Sequence, residues 1–133
     1  MKHQPPSFLA NWLDPAELDW HSEVSQFIAQ PPPPASDPFR PAYTRNNLVY
    51  QDQLSLLKLR LSSELLDRRR TLLAEESRIR EELRDEKIKT AEERTAALYG
   101  NSRYADMKTS LEELQLTVDR MVTLEWILRT AVK

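Results

Sequence analysis

Over the back two-thirds of the chain, apolar side chains recur at alternating spacings of three and four. The clearest stripe is Tyr104, Met107, Leu111, Leu114, Val118 and Met121, continued by Leu124 and Leu128. A repeat held for more than three heptads predicts a long helix with a coiled-coil-like seam, running from about 103 to 131. Asn101 or Ser102 can cap its start, and Arg129 and Lys133 suit the dipole at its end. Upstream, Leu54, Leu57, Leu61, Leu65, Leu72 and Ile79, with Leu83 beyond, mark the apolar line of a preceding helix spanning 48–99. Leu56, Leu59, Leu66 and Leu73 add a second line over its first half. Thr90-Ala91-Glu92-Glu93 matches a capping box, so this helix either runs unbroken or stops near Lys89 and restarts over 91–99.

Between Asn47 and Ala131 there is one glycine and no proline. That glycine, Gly100, lies in Leu98-Tyr99-Gly100-Asn101-Ser102, where a helix end is followed by residues that start the next helix. The expected architecture is all-α: a long antiparallel helical hairpin over 47–133 with its corner at 99–102. Before it come an N-terminal tail with a short docking helix, 1–29, and a Pro-rich extended arm, 30–46.

The docking helix is read over residues 13–28. Asp14 is its N-cap, Pro15 its first residue and Glu17 its third, a capping box with proline where the missing N–H costs nothing. Leu13 and Leu18 fall where a hydrophobic staple would clamp the entry, and Trp20, Val24, Phe27 and Ile28 share one face. So short a helix needs something to dock on: its own hairpin, a neighbouring subunit or another protein. Residues 30–41 hold six of the nine prolines and read as a semi-rigid spacer; Pro31 to Pro34 also satisfies a P-x-x-P pattern.

Arm lengths suggest association. A helix over 48–99 spans roughly 75 Å and one over 103–131 about 43 Å. Folded back from Gly100, the last helix stops near residue 70 and leaves the leucine-rich stretch 48–69 overhanging. Either the 13–28 helix covers that stretch or other copies do, which predicts a homo-oligomer.

Composition narrows the chemistry. The absence of cysteine excludes disulfides and thiolate metal sites. A single glycine cannot build a phosphate-cradling loop. His3 and His21 lack a second histidine at i+4, and His21 reads as a solvent-facing helix residue. No catalytic residue, cofactor, metal or small-molecule substrate is expected, and so no enzyme. No run of 18 apolar residues exists and the first residues do not form a signal peptide, so the expectation is a soluble cytoplasmic protein without a membrane partner. The net charge of −2 is spread evenly: eleven Lys/Arg and eleven Asp/Glu fall in 47–100, unlike the basic footprint of a dedicated duplex-DNA binder.

Basic residues nevertheless form a ladder. Arg80, Arg84 and Lys87 share a helical face with Arg69 about three turns earlier, and Lys89 and Arg94 follow. Tyr99 and Tyr104 are the candidate stacking aromatics beside it. Lys87-Ile88-Lys89-Thr90-Ala91-Glu92, then Leu98-Tyr99-Gly100, Arg103 to Thr109 and Leu124-Glu125-Trp126, resemble small helical proteins of tailed phages similar to the UvsY-type recombination mediators. The resemblance covers roughly residues 65–131. It implies an oligomeric single-stranded-DNA-binding accessory that helps load a recombinase or annealing protein, acting in the host cytoplasm, with Lys87, Lys89 and Arg94 at the matching DNA-contacting positions. Two readings stand: such a mediator, or a non-enzymatic scaffold, adaptor or minor virion protein that oligomerises through its hairpin.

Overall fold

A computed structural model describes residues 7–85 and 90–132. Every regular element among the described residues is helical. A 3-10 helix, Ser7–Asn11, precedes α1 (Pro15–Ala29), α2 (Arg40–Asp85), α3 (Ala91–Tyr99) and α4 (Ser102–Ala131). The chain divides into two compact units, one of Met1–Ser62 with Leu116–Lys133 and one of Ser63–Gln115.

In the first unit, α1 starts as its sequence dictates. The Asp14 carboxylate accepts from the Glu17 amide at 2.8 Å and Glu17 accepts from the Asp14 amide at 3.0 Å, which completes the capping box. Residues 31–34 have no regular structure and 35–39 are turns. The Asp37 side chain then accepts from the Phe39 amide at 2.8 Å and its carbonyl from the Arg40 amide at 3.0 Å. This turn launches α2 at Arg40, earlier than the apolar pattern predicts, with Pro41 in the first turn where it costs no hydrogen bond.

Asn47 explains why the earlier start is hard to read. It lies seven residues before Leu54 and fourteen before Leu61, so a polar side chain occupies a seam position. It is fully buried, and its amide donates to the Leu128 carbonyl at 3.0 Å while Gln51 donates to its oxygen at 2.6 Å. Arg40 likewise donates to the Pro33 carbonyl at 2.7 Å and the Ala131 carbonyl at 3.4 Å. The overhang expected of residues 48–69 is therefore corrected for this unit, because the end of α4 reaches the start of α2. The buried apolar residues are Leu9, Leu13, Val24, Leu54, Leu57, Leu61, Val118, Met121, Leu124 and Leu128.

In the second unit, Leu65 and Leu114 are buried, and Ile79, Leu98 and Tyr104 form a cluster joined by half-buried Leu72 and Leu83. Met107 and Leu111 are half-buried. The helix does not run unbroken to Tyr99: α2 is described to Asp85, and Thr90 stands outside a separate helix, α3. Thr90 caps α3, its hydroxyl accepting from the Glu93 amide at 3.1 Å. Asn101, not Ser102, caps α4, its side chain accepting from the Tyr104 amide at 3.0 Å.

Candidate interaction surfaces

Within the first unit, α1 docks on its own chain. Phe27 stacks on Tyr43 at 4.8 Å and meets the edge of Tyr50 at 5.0 Å, while Trp20 lies 6.3 Å from Tyr50 and donates its indole N–H to Gln53. Val24 is fully buried, Ile28 half-buried, and Arg60 grips both Glu17 oxygens at 2.7 and 2.8 Å. Of the predicted docking face, Trp20 and Phe27 thus meet α2. A groove of about 430 Å³ remains beside them, lined by Asp14, Trp20, Leu56 and Arg60 among others.

His21 corrects the expectation of a solvent-facing residue. It is 1% exposed, and Arg120 of α4 donates to its Nε2 at 2.7 Å. Accepting there places the ring proton on Nδ1, which has no partner among the described residues. Burial, reinforced by the Arg120 charge, lowers its pKa to about 4.

A second buried polar centre lies at Glu125, which takes Lys58 at 2.8 Å, the Ser55 hydroxyl at 3.3 Å and Arg129 of its own helix. Burial alone pushes this carboxyl up. The Lys58 hydrogen bond and charge, with Arg129 and Ser55, outweigh it and hold the group below its ordinary value.

In the second unit the basic ladder divides. Arg80, Arg84 and Arg94 converge with Ala91 on a cavity of about 110 Å³. Three arginines of the ladder thus line one small space. Arg80 also holds Glu76 at 3.2 Å. Arg69 lies apart and donates to Gln115 at 2.5 Å. Lys87 and Lys89 lie outside the described residues. Neighbouring arginines are engaged: Arg68 with Glu64 at 2.8 Å, and Arg78 with Glu82 and with Glu75, at 2.6 Å for the last. The Arg78 hydrogen bond holds the Glu75 carboxyl below its ordinary value, with Arg103 at 3.7 Å adding to it. The aromatic expectation is corrected for Tyr104. Tyr104 is buried in the Ile79–Leu98 cluster, and Lys108 lies 5.0 Å from the ring of Tyr99. A base could not reach Tyr104, whereas Tyr99 is 58% exposed.

The two leucine lines of α2 have opposite fates. In the first, Leu54, Leu57, Leu61, Leu65 and Ile79 are buried and Leu72 and Leu83 half-buried, whereas Leu56, Leu59, Leu66 and Leu73 are 70%, 69%, 48% and 63% exposed. Val49 of α2 is also exposed.

No protein-family model matches the chain, and no curated protein or solved structure is significantly similar to it. Among the described residues no group of acidic or histidine side chains could hold a metal ion, and no helix is long and apolar enough to cross a membrane. Sequence reasoning missed the buried polar residues His21, Asn47 and Glu125. Asn47 carries a signal in its heptad spacing to Leu54 and Leu61, and Glu125 in its heptad spacing to Leu111 and Val118.

Proposed function

We propose that this chain is a non-enzymatic helical assembly protein, an adaptor or scaffold that associates through an uncovered leucine line of α2 while α4 folds back antiparallel along α2 to make a hairpin. The observation that carries the reading is the exposure of Leu56, Leu59, Leu66 and Leu73 at helical spacing on one element. Full burial of a leucine contributes about 1.5–3 kcal/mol, so a row of four left in water favours association. The hairpin is supported by the order of contacts within each unit. In the first, Arg40, Asn47 and Lys58 meet Ala131, Leu128 and Glu125; in the second, Arg69 and Glu75 meet Gln115 and Arg103.

The second reading, a single-stranded-DNA-binding recombination mediator, is favoured by one observation, the convergence of Arg80, Arg84 and Arg94 on one cavity. It ranks below the first because glutamates pair with Arg68, Arg78 and Arg80, and because Tyr104 is buried. Light scattering of the chain with and without a single-stranded oligonucleotide, at low and moderate salt, separates the two. A multimer indifferent to DNA supports the assembly protein. Uptake that salt reverses, and that Arg80→Glu, Arg84→Glu and Arg94→Glu abolish together, supports the mediator. A monomer at micromolar concentration removes self-association.

A further inference from the structure

The uncovered line on α2 has a heptad register of its own. Val49, Leu56, Ser63 and Arg70 repeat every seven residues, and Asp52, Leu59, Leu66 and Leu73 repeat every seven, offset by three. All eight side chains are exposed. The two sets alternate along one face of a single helix, the pattern of a coiled-coil seam, over about 36 Å of axis. Two charges interrupt the seam, Asp52 near its start and Arg70 near its end. Neither has a hydrogen bond or ion pair among the described residues, although most acidic and basic neighbours on α2 do.

From this register we infer that a second copy of this chain docks along the seam in antiparallel orientation, the pairing centred on residue 61. This inference rests on the assembly reading above and names its partner. Centred there, Val49 faces Leu73 of the other copy, Leu56 faces Leu66, Leu59 faces Ser63, and Asp52 faces Arg70. Each pair occurs twice by the two-fold symmetry. The only charges in the seam then neutralise each other, and every leucine meets an apolar or small side chain.

Other arrangements fail on charge. Parallel, in-register pairing sets Asp52 against Asp52 and Arg70 against Arg70 at positions that desolvate on contact, which is unfavourable. Sliding the antiparallel pair by one heptad puts Arg70 against Leu59 one way, or leaves Asp52 against Ser63 the other, with no ion pair in either case. Near the two-fold axis the Arg60 side chains approach each other, and each already carries the Glu17 carboxylate. On the opposite face of α2, Leu61 is fully buried within its own chain, so the centre of the seam faces outward.

Charge reversal tests the register directly. Asp52→Arg and Arg70→Asp, made separately in the full chain, are each expected to weaken self-association about tenfold or more, because like charges then meet twice in the seam. An equimolar mixture of the two variants pairs Arg with Asp at both places, as does the double variant with itself, so both are expected to recover the mass of the unaltered chain by light scattering. Circular dichroism of each variant shows whether the fold is kept; both sites are exposed, so loss of helix is not expected. The chain has no cysteine, so Ala74→Cys offers a unique site for a spin label. The antiparallel pair places two such labels about 40 Å apart along the axis, whereas a parallel pair brings them onto adjacent faces. If the unaltered chain is a monomer, the assembly reading by self-association and this inference fall together. If it is a multimer whose mass ignores the charge reversals, or whose labels lie close, this seam is wrong and the assembly reading stands.

Discussion

His21 accepts a hydrogen bond from Arg120 through Nε2, which only a neutral imidazole can do. Its pKa in the fold is about 4, below the ordinary 6.5, so between those values the unfolded chain binds a proton that the folded chain refuses. Stability is therefore full above about pH 6.5 and declines as pH falls towards 4, by about 3 kcal/mol across the window. Denaturant unfolding at pH 7.5 and pH 5 should differ by about 2 kcal/mol, and His21→Gln should remove most of that difference. Glu75 and Glu125 have lowered pKa values, so their stabilisation is lost only at more acid pH, below the ordinary carboxylate range. The two acid phases separate on this account. Gly100 offers a second test. Its φ is −80° and ψ −8°, which any L residue adopts, and an added Cβ would lie 3.4 Å from the Ala96 carbonyl oxygen. Gly100→Ala should stabilise the chain by about 0.5 kcal/mol by restricting the unfolded state, read as a higher melting temperature.

At the scale of elements, caps and interruptions decide where helices begin and end. Asp14→Ala removes the acceptor for the Glu17 amide and should cost about 1 kcal/mol. Because α1 presents Trp20 to Tyr50 and Gln53, the same change should alter Trp20 fluorescence in partial denaturant before α2 and α4 lose helix. The cap signals at Asp14 and Thr90 are legible because the chemistry is local: a side-chain oxygen reaching an amide three residues on. The start of α2 at Arg40 is less so. It depends on Asn47 replacing an apolar seam residue and finding the Leu128 carbonyl, a partner more than eighty residues away in sequence. Burial of His21 has the same cause, since Arg120 is remote and nothing beside His21 in the sequence announces it.

For the whole molecule, the decisive quantity is which apolar surface stays in water. Both lines of α2 are rich in leucine, and periodicity alone does not say which is covered. If the uncovered line mediates assembly, Leu59→Glu with Leu66→Glu should give a folded chain of lower mass, seen by light scattering with unchanged circular dichroism. The corresponding change in the covered line, Leu61→Glu, should instead unfold the first unit, because it buries an unpaired charge. For the mediator reading, the arginine cavity predicts that altering Arg80, Arg84 and Arg94 weakens oligonucleotide binding more than altering Arg69, which lies apart from them.

Local pattern determined the all-helical class, the caps of α1 and α3, the helix boundary at Gly100 and the heptad stripe of α4. Each follows from spacing and side-chain chemistry within a turn or two of helix, where physical proximity and sequence proximity coincide. Tertiary structure decided which leucine line is covered, that α1 docks on its own chain, that His21, Asn47 and Glu125 are buried, and that three of the six ladder residues share a cavity. Those outcomes depend on partners distant in the chain. A helix face carries no local mark of whether its neighbour is water, its own chain or another copy.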